Sequence, residues 1–349
     1  MSLAILFRIG IIIIAGIMMG CSIVPMRYAK KWKWENIWVL YIGFGQVIFP
    51  LALVALTVPN AWKVFASAKG SALTYAIVFG LGWGVGNVLA GIGYAMLGVG
   101  LGLSVVLGLT ASTGSLVPLA VMFPERLMSS SAMALYVAVA IMLGGLILSS
   151  QAARLRQAHQ AKDEITSGAD LQAFGKGNVR IGLVVSIAAG ILSSMLNLAF
   201  VFGDNVRLTA LRFGASAPGA VNTLWLPILI AGFLPTLFYC SYLFVKNQSW
   251  SAFWRPGTGS HWLIGALMGF LYLGGLSLYG LGSVKLGEMG AVLGFPVFMS
   301  TIVVTGNVAG WVTGEWRGSP RSAYAFVLGG NLLLIASIVI VAIGNRMGG

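Results

Sequence analysis

Apolar runs of about twenty residues, nearly free of charge, alternate along this chain with short segments that hold most of the Lys and Arg. A helix rises ~1.5 Å per residue, so a run of that length crosses a hydrocarbon layer ~30 Å thick. The pattern predicts ten spanning helices, near 4–25, 37–58, 72–95, 99–121, 131–150, 179–202, 218–244, 261–282, 288–312 and 322–344. The longest uncharged stretch, 79–119, has no Asp, Glu, Lys, Arg or His. It is long enough for two crossings, and the glycines at 98–102 mark the reversal between them. Gly82 and Gly86 give the small-xxx-small spacing that lets helix backbones approach closely in lipid. Trp83, Asn87 and Tyr94 share one face of the first of these helices. That face reads equally well as a cavity lining and as an interhelical hydrogen bond flanked by interface aromatics.

Five predicted spans lie on each side of a polar segment at 151–178, in which Ala, Gln and Arg favour some helix. The chain thus divides into a first five-helix repeat (1–150), a linker (151–178) and a second five-helix repeat (179–349). Short internal matches agree: AGIMMGCSIVP at 15–25 aligns with AGILSSMLNLA at 189–199. Trp83, Asn87, Ala90 and Tyr94 fall at constant offset from Met268, Tyr272, Gly275 and Tyr279. An odd number of spans per repeat inverts one half relative to the other, an architecture found in many secondary transporters. The expected fold class is an all-α polytopic membrane protein, ten transmembrane helices as two inverted five-helix repeats.

Composition supports the membrane reading: 58% of the 349 residues are hydrophobic and 8% charged, with 48 glycines and a mean hydropathy of +0.93. The net charge of +13 comes from basic residues scattered through short loops, with no basic domain or motif for nucleic acid. Thirteen of the 21 basic residues fall on one side of the predicted membrane, led by RYAKKWKWENIW in the first loop, and eight on the other. The positive-inside rule then puts both termini outside the cytoplasm. A lipoprotein signal ending at Cys21 is the lesser reading of the first span, since its small-residue positions fit loosely and many spans follow. Cys21 and Cys240 both sit in apolar runs, so no disulfide framework, metal site or cofactor is indicated.

The eight acids are Glu35, Glu125, Asp163, Glu164, Asp170, Asp204, Glu288 and Glu315, none at a predicted span centre. The spans instead carry neutral polar residues, among them Ser22, Gln46, Asn87, Thr110, Asn197, Asn222, Tyr272 and Thr305, with Trp83, Tyr94, Trp225 and Tyr279 nearby. Amides and hydroxyls both donate and accept, and aromatic faces cover C–H patches, which suits a neutral polyhydroxylated ligand such as a sugar. For any one Ser or Thr, helix packing is the commoner role. Trp83, Asn87, Tyr94, Asn197, Tyr272 and Thr305 are the substrate candidates. Enzymatic chemistry lacks its parts: the two histidines, His159 and His261, stand at the linker and a span edge, and neither H-E-x-x-H nor G-x-S-x-G occurs.

Several stretches resemble the L-rhamnose–proton symporter family of the drug/metabolite transporter superfamily: KKWKWENIW before the second span, FGLGWGVGNV, YAMLGVGLGLSVVLG, and TGEWRGSP before the last span. The resemblance runs through essentially the whole chain. It departs at GNVLAGIG in the third span and AVLGFPVFMST in the ninth, where the family is more polar. It implies a carrier in the bacterial inner membrane that moves L-rhamnose, or a related sugar, together with protons. The first, third, fourth, sixth, eighth and ninth spans would then surround the site. For the proton, Glu288 at the start of the ninth span is the first candidate and Asp204 the second. The alternatives are a facilitator or exporter of another neutral metabolite and, from a different class, a non-transporting membrane sensor.

Overall fold

The computed structural model describes residues 3–166 and 179–347. The regular structure of those residues is all helical, and among them ten helices are long and apolar enough to cross a membrane. The linker expected at 151–178 lies in part outside the described residues; its first portion continues the fifth spanning helix, α7 (Ser130–Thr166). The other long helices are α1 (Leu3–Cys21), α5 (Gly70–Leu97), α6 (Val99–Met122), α8 (Val179–Phe202), α10 (Ala217–Asn247), α11 (Gly259–Lys285), α12 (Gly290–Val312) and α13 (Arg321–Met347). The second span is composite. It joins α2 (Trp34–Ile42) to α3 (Phe49–Thr57) through a π-helical stretch, Gly43–Ile48. Two short helices, α4 (Ala61–Ser67) and α9 (Asn205–Arg212), cap loop segments.

Local chemistry explains the breaks. Gly98 separates α5 from α6 at φ 80°, a left-handed conformation that glycine alone adopts without strain. The π-helical stretch runs into Pro50, which has no N–H to donate and whose ring crowds the carbonyl one turn earlier; widening the turn relieves that crowding. The ninth spanning helix starts at Gly290, two residues later than the sequence pattern predicts, because Gly287 at φ 98° ends the preceding turn.

The chain forms two compact units. One comprises the described residues of Met1–Ile9, Gly86–Ser194 and Val292–Gly349; the other comprises Gly10–Val85 and Met195–Ala291. In the first, α7 and α13 pack along small residues. A methyl at Gly145 would come within 2.9 Å of the Gly330 carbonyl oxygen, and one at Gly330 would meet Gly145 at the same distance. Close backbone approach of this kind replaces the hydrophobic drive that lipid removes. Ser131 Oγ donates to the Gly344 carbonyl at 2.9 Å, and the Ser300 and Ser337 hydroxyls lie 3.0 Å apart, joining α12 to α13. Asn307 donates to Asn331 Oδ1 at 2.7 Å.

In the second unit, Gly84 of α5 faces the Gly232 backbone of α10, where an added methyl would clash with backbone atoms. Gly45, in the π-helical stretch, lies against Gly269 of α11, and a methyl there would stand 3.2 Å from the Gly269 Cα. An apolar group at one end, Val54, Val58, Val64, Ala210, Ala220 and Leu226, ties α3, α4, α9 and α10 together.

Candidate functional site

The substrate candidates divide between the two units. Asn87, Tyr94 and Thr305 fall in the first; Trp83, Asn197 and Tyr272 fall in the second. In the first unit, the Tyr94 ring packs with Ala90, Val106 and Ala189. Asn87 and Thr305 are half-buried on α5 and α12. Thr110 donates to its own helix at Val106 and to the Gly190 carbonyl of α8 at 3.2 Å, a packing role.

The second unit holds the larger polar constellation, built along one face of α11. Tyr272 and Tyr279, two turns or about 10 Å apart on that face, are both buried. The Gln46 amide nitrogen of the π-helical stretch donates to the Tyr272 hydroxyl at 3.3 Å, while Gln46 Oε1 is buried without a partner. Turning the amide over would only exchange which of its ends is orphaned. The Tyr41 ring meets Tyr272 edge-on at 5.5 Å, and the Tyr41 hydroxyl lies 3.1 Å from Ser22 Oγ. Two turns along α11, the Tyr279 hydroxyl donates to Asn197 Oδ1 at 2.5 Å, and Asn197 Nδ2 donates to the Ala291 carbonyl at 3.2 Å. Trp225 stacks on Phe200 at 4.8 Å, is fully buried, and its indole N–H has no acceptor. Ser277 donates to Asn222 Oδ1 at 2.5 Å.

A buried polar atom without a partner costs roughly 1–3 kcal/mol. Besides Ser283 Oγ, one turn beyond Tyr279, and His261 Nε2, the second unit carries two such atoms in this group, the acceptor Gln46 Oε1 and the donor Trp225 Nε1. A hydroxylated ligand, each of whose OH groups both gives and takes a hydrogen bond, matches that pair. The sequence brought Tyr272 and Asn197 into this group, and the structure joins them to Gln46, Tyr41, Trp225 and Tyr279. Trp83 has a packing contact instead: its ring fills the space that a side chain at Gly232 would need.

The two carboxylates expected to handle protons lie outside the long helices. Glu288 lies exposed in the turn between α11 and α12, outside any spanning helix, rather than partly buried at the start of the ninth span. Asp204 is held by Arg207, whose Nε and a terminal nitrogen donate to its two oxygens at 2.6 and 2.8 Å. Sequence reasoning passed over Glu35, which the structure buries at 3% exposure in the first turn of α2. Its Oε1 accepts from Ser249 Oγ at 2.6 Å and from Asn247 Nδ2 at 2.9 Å. The rest of the first-loop motif surrounds it. Trp32 Nε1 donates to the Ala252 carbonyl at 2.9 Å, Lys33 Nζ to Asn247 O at 2.8 Å, and Asn36 Nδ2 to Ser249 O at 3.0 Å. Trp32 also packs edge-on against Phe253, His261 and Trp262. The signal for this clasp was present in KKWKWENIW, where an acid and an amide follow two tryptophans at the mouth of a span.

Among the described residues, no group of three or more His, Cys, Asp or Glu is placed to hold a metal ion.

Comparison with known proteins agrees with the geometry. Residues 1–347 match the family model described as L-rhamnose-proton symport protein. Proteins named L-rhamnose-proton symporter from Shigella boydii and from Escherichia coli are each 24% identical over 332 residues, covering 93% of this chain and 94% of the relative. A ten-span chain with a neutral polar interior, matched over nearly all its length, belongs to the L-rhamnose-proton symport protein family.

Proposed function

We propose that this protein imports a small neutral sugar, L-rhamnose, together with protons across the bacterial inner membrane by alternating access. What supports the reading most is the family match over residues 1–347, joined to relatives named for that substrate and that coupling ion. The interior chemistry supports it as well. Amide, phenol and indole groups gather on α10, α11 and the π-helical stretch, and the orphaned Gln46 Oε1 and Trp225 N–H are suited to sugar hydroxyls. No counter-charge for an ionic substrate lies among those residues.

On this reading Asn197, Tyr272 and Tyr279 orient the sugar in the second unit, and Asn87, Tyr94 and Thr305 are the candidates of the first, each taken by itself. The two inverted five-helix repeats, 1–150 and 179–349, supply the pseudo-symmetry by which one arrangement opens to either side. The weight of basic residues in the first loop and around the linker puts those segments in the cytoplasm and both termini in the periplasm. Glu288 and Asp204 are the proton sites the sequence offers. Glu288 stands on an exposed turn and Asp204 is paired with Arg207.

A facilitator is the second reading, favoured by the exposure of Glu288 and the pairing of Asp204 with Arg207. Uptake of radiolabelled L-rhamnose into proteoliposomes separates the two. Symport predicts accumulation under an inward proton gradient that collapses with a protonophore, whereas equilibration alone makes the protein a facilitator. Absence of uptake in both conditions refutes rhamnose as the substrate.

A further inference from the structure

Five acidic side chains are described: Glu35, Glu125, Asp204, Glu288 and Glu315. Glu125 is exposed with Arg126 at 3.8 Å, Asp204 is bound by Arg207, Glu315 pairs with Arg156 at 3.3 Å, and Glu288 sits on an exposed turn. Only Glu35 is buried, and its two hydrogen bonds come from neutral donors, an amide and a hydroxyl. No ion pair to it is found among the described residues. Burial penalises the carboxylate, and the Ser249 and Asn247 hydrogen bonds with the nearby Lys33 charge offset that penalty, so its charge state depends on the geometry of the few groups around it. A change in that geometry takes up or releases a proton, and a proton changes that geometry.

From these observations we propose that Glu35 carries the transported proton, and that its protonation loosens the clasp between the start of α2 and the connection from α10 to α11. The inference rests on the symport reading above. In the charged state, Glu35 Oε1 fixes Asn247 and Ser249, and Trp32 and Asn36 fasten the same connection at Ala252 and Ser249. A neutral carboxyl makes weaker bonds than a carboxylate to the same donors. The connection 247–258 then gains freedom, and it leads straight into α11, which carries Tyr272 and Tyr279. A proton at one end of α11 is thereby linked to the hydroxyl-reading face along it. On the orientation proposed above, the clasp lies at the cytoplasmic end, where an incoming proton must leave.

The other titratable groups facing Glu35 are few. Lys33 comes from its own element, with Nζ engaged by the Asn247 carbonyl; Cys240 faces it from α10; and His261 of α11 lies behind Trp32, ring centroids 5.0 Å apart. Lys31 reaches the Pro256 carbonyl at 3.5 Å.

The test pairs a readout without sugar with one that uses it. Tryptophan fluorescence of the purified protein, titrated with acid, is expected to show a step from Trp32 and its neighbours. That step is lost in Glu35→Gln and kept in His261→Gln. In proteoliposomes the accumulation ratio of L-rhamnose under a proton gradient is expected to fall to unity in Glu35→Gln. Accumulation by Glu35→Gln, or a fluorescence step that survives in it, overturns the proposal. If Glu35→Gln does not fold, the double variant Asn247→Ala, Ser249→Ala leaves the carboxylate in place and removes both its donors. Its step must then move toward higher pH, and an unmoved step also overturns the proposal. Failure of the wild type to exchange rhamnose would count against the sugar, and the fluorescence titration would still decide the role of Glu35.

Discussion

Two tryptophan-bearing loops, each next to a spanning helix, fasten the two units in different ways. In the first unit, TGEWRGSP folds onto α7: the Arg156 guanidinium lies over the Trp316 ring at 5.0 Å and pairs with Glu315 at 3.3 Å, and Tyr324 donates to the Trp316 carbonyl at 2.5 Å. In the second, KKWKWENIW folds onto residues 247–262 with Glu35 at its centre. The Glu315 side chain is 48% exposed and answered by an arginine. Glu35 is 3% exposed and answered by neutral groups. The first acid meets solvent and a full counter-charge, so that clasp is a fixed fastening. The second acid is shielded from solvent and bonded only by neutral donors, with the Lys33 charge nearby, and its clasp can respond to a proton. Acid and tryptophan occur in both motifs; burial and the identity of the partner decide what the acid can do.

The largest effect expected from breaking this comparison comes from Glu35→Ala. It strands the Asn247 and Ser249 donors in a buried position, at roughly 1–3 kcal/mol for each group left unsatisfied. Thermal unfolding in detergent should fall accordingly, with proton-driven accumulation lost. Trp32→Phe keeps the ring packing but orphans the Ala252 carbonyl, with an expected loss of about 1 kcal/mol in the same measurement. Arg156→Ala removes a partly exposed ion pair and a ring contact, together worth about 1 kcal/mol or less once solvent screening is counted. Raising the salt concentration should erode the Arg156 contribution and leave that of Glu35 nearly unchanged, because buried groups are screened little. The smallest effect is expected from Glu288→Gln and Asp204→Asn, which should keep accumulation near wild type. A loss of accumulation in either would return the proton to that residue and reduce Glu35 to a fastening.

The ten spans, the break at Gly98 and the neutral character of the interior were legible in sequence because each depends on a short window: a run of apolar residues, a cluster of glycines, a missing charge. The role of Glu35 was not. Its burial depends on Asn247 and Ser249, more than two hundred residues away, and within its own window it looks like an acid at a loop edge. Gln46 and Tyr272 meet across 226 residues, and the π-helical stretch that turns Gln46 inward follows from Pro50 interrupting a ladder that hydropathy cannot see. Trp83 shows the opposite case. Its helical face was legible, but only the absence of a side chain at Gly232 reveals that the ring is spent on packing.

Proton symport is tested most directly by adding L-rhamnose to lightly buffered, de-energised vesicles that contain the protein and recording the external pH. Symport predicts a transient rise in external pH that tracks sugar entry and disappears with a protonophore. Rhamnose entry with no change in external pH would contradict it.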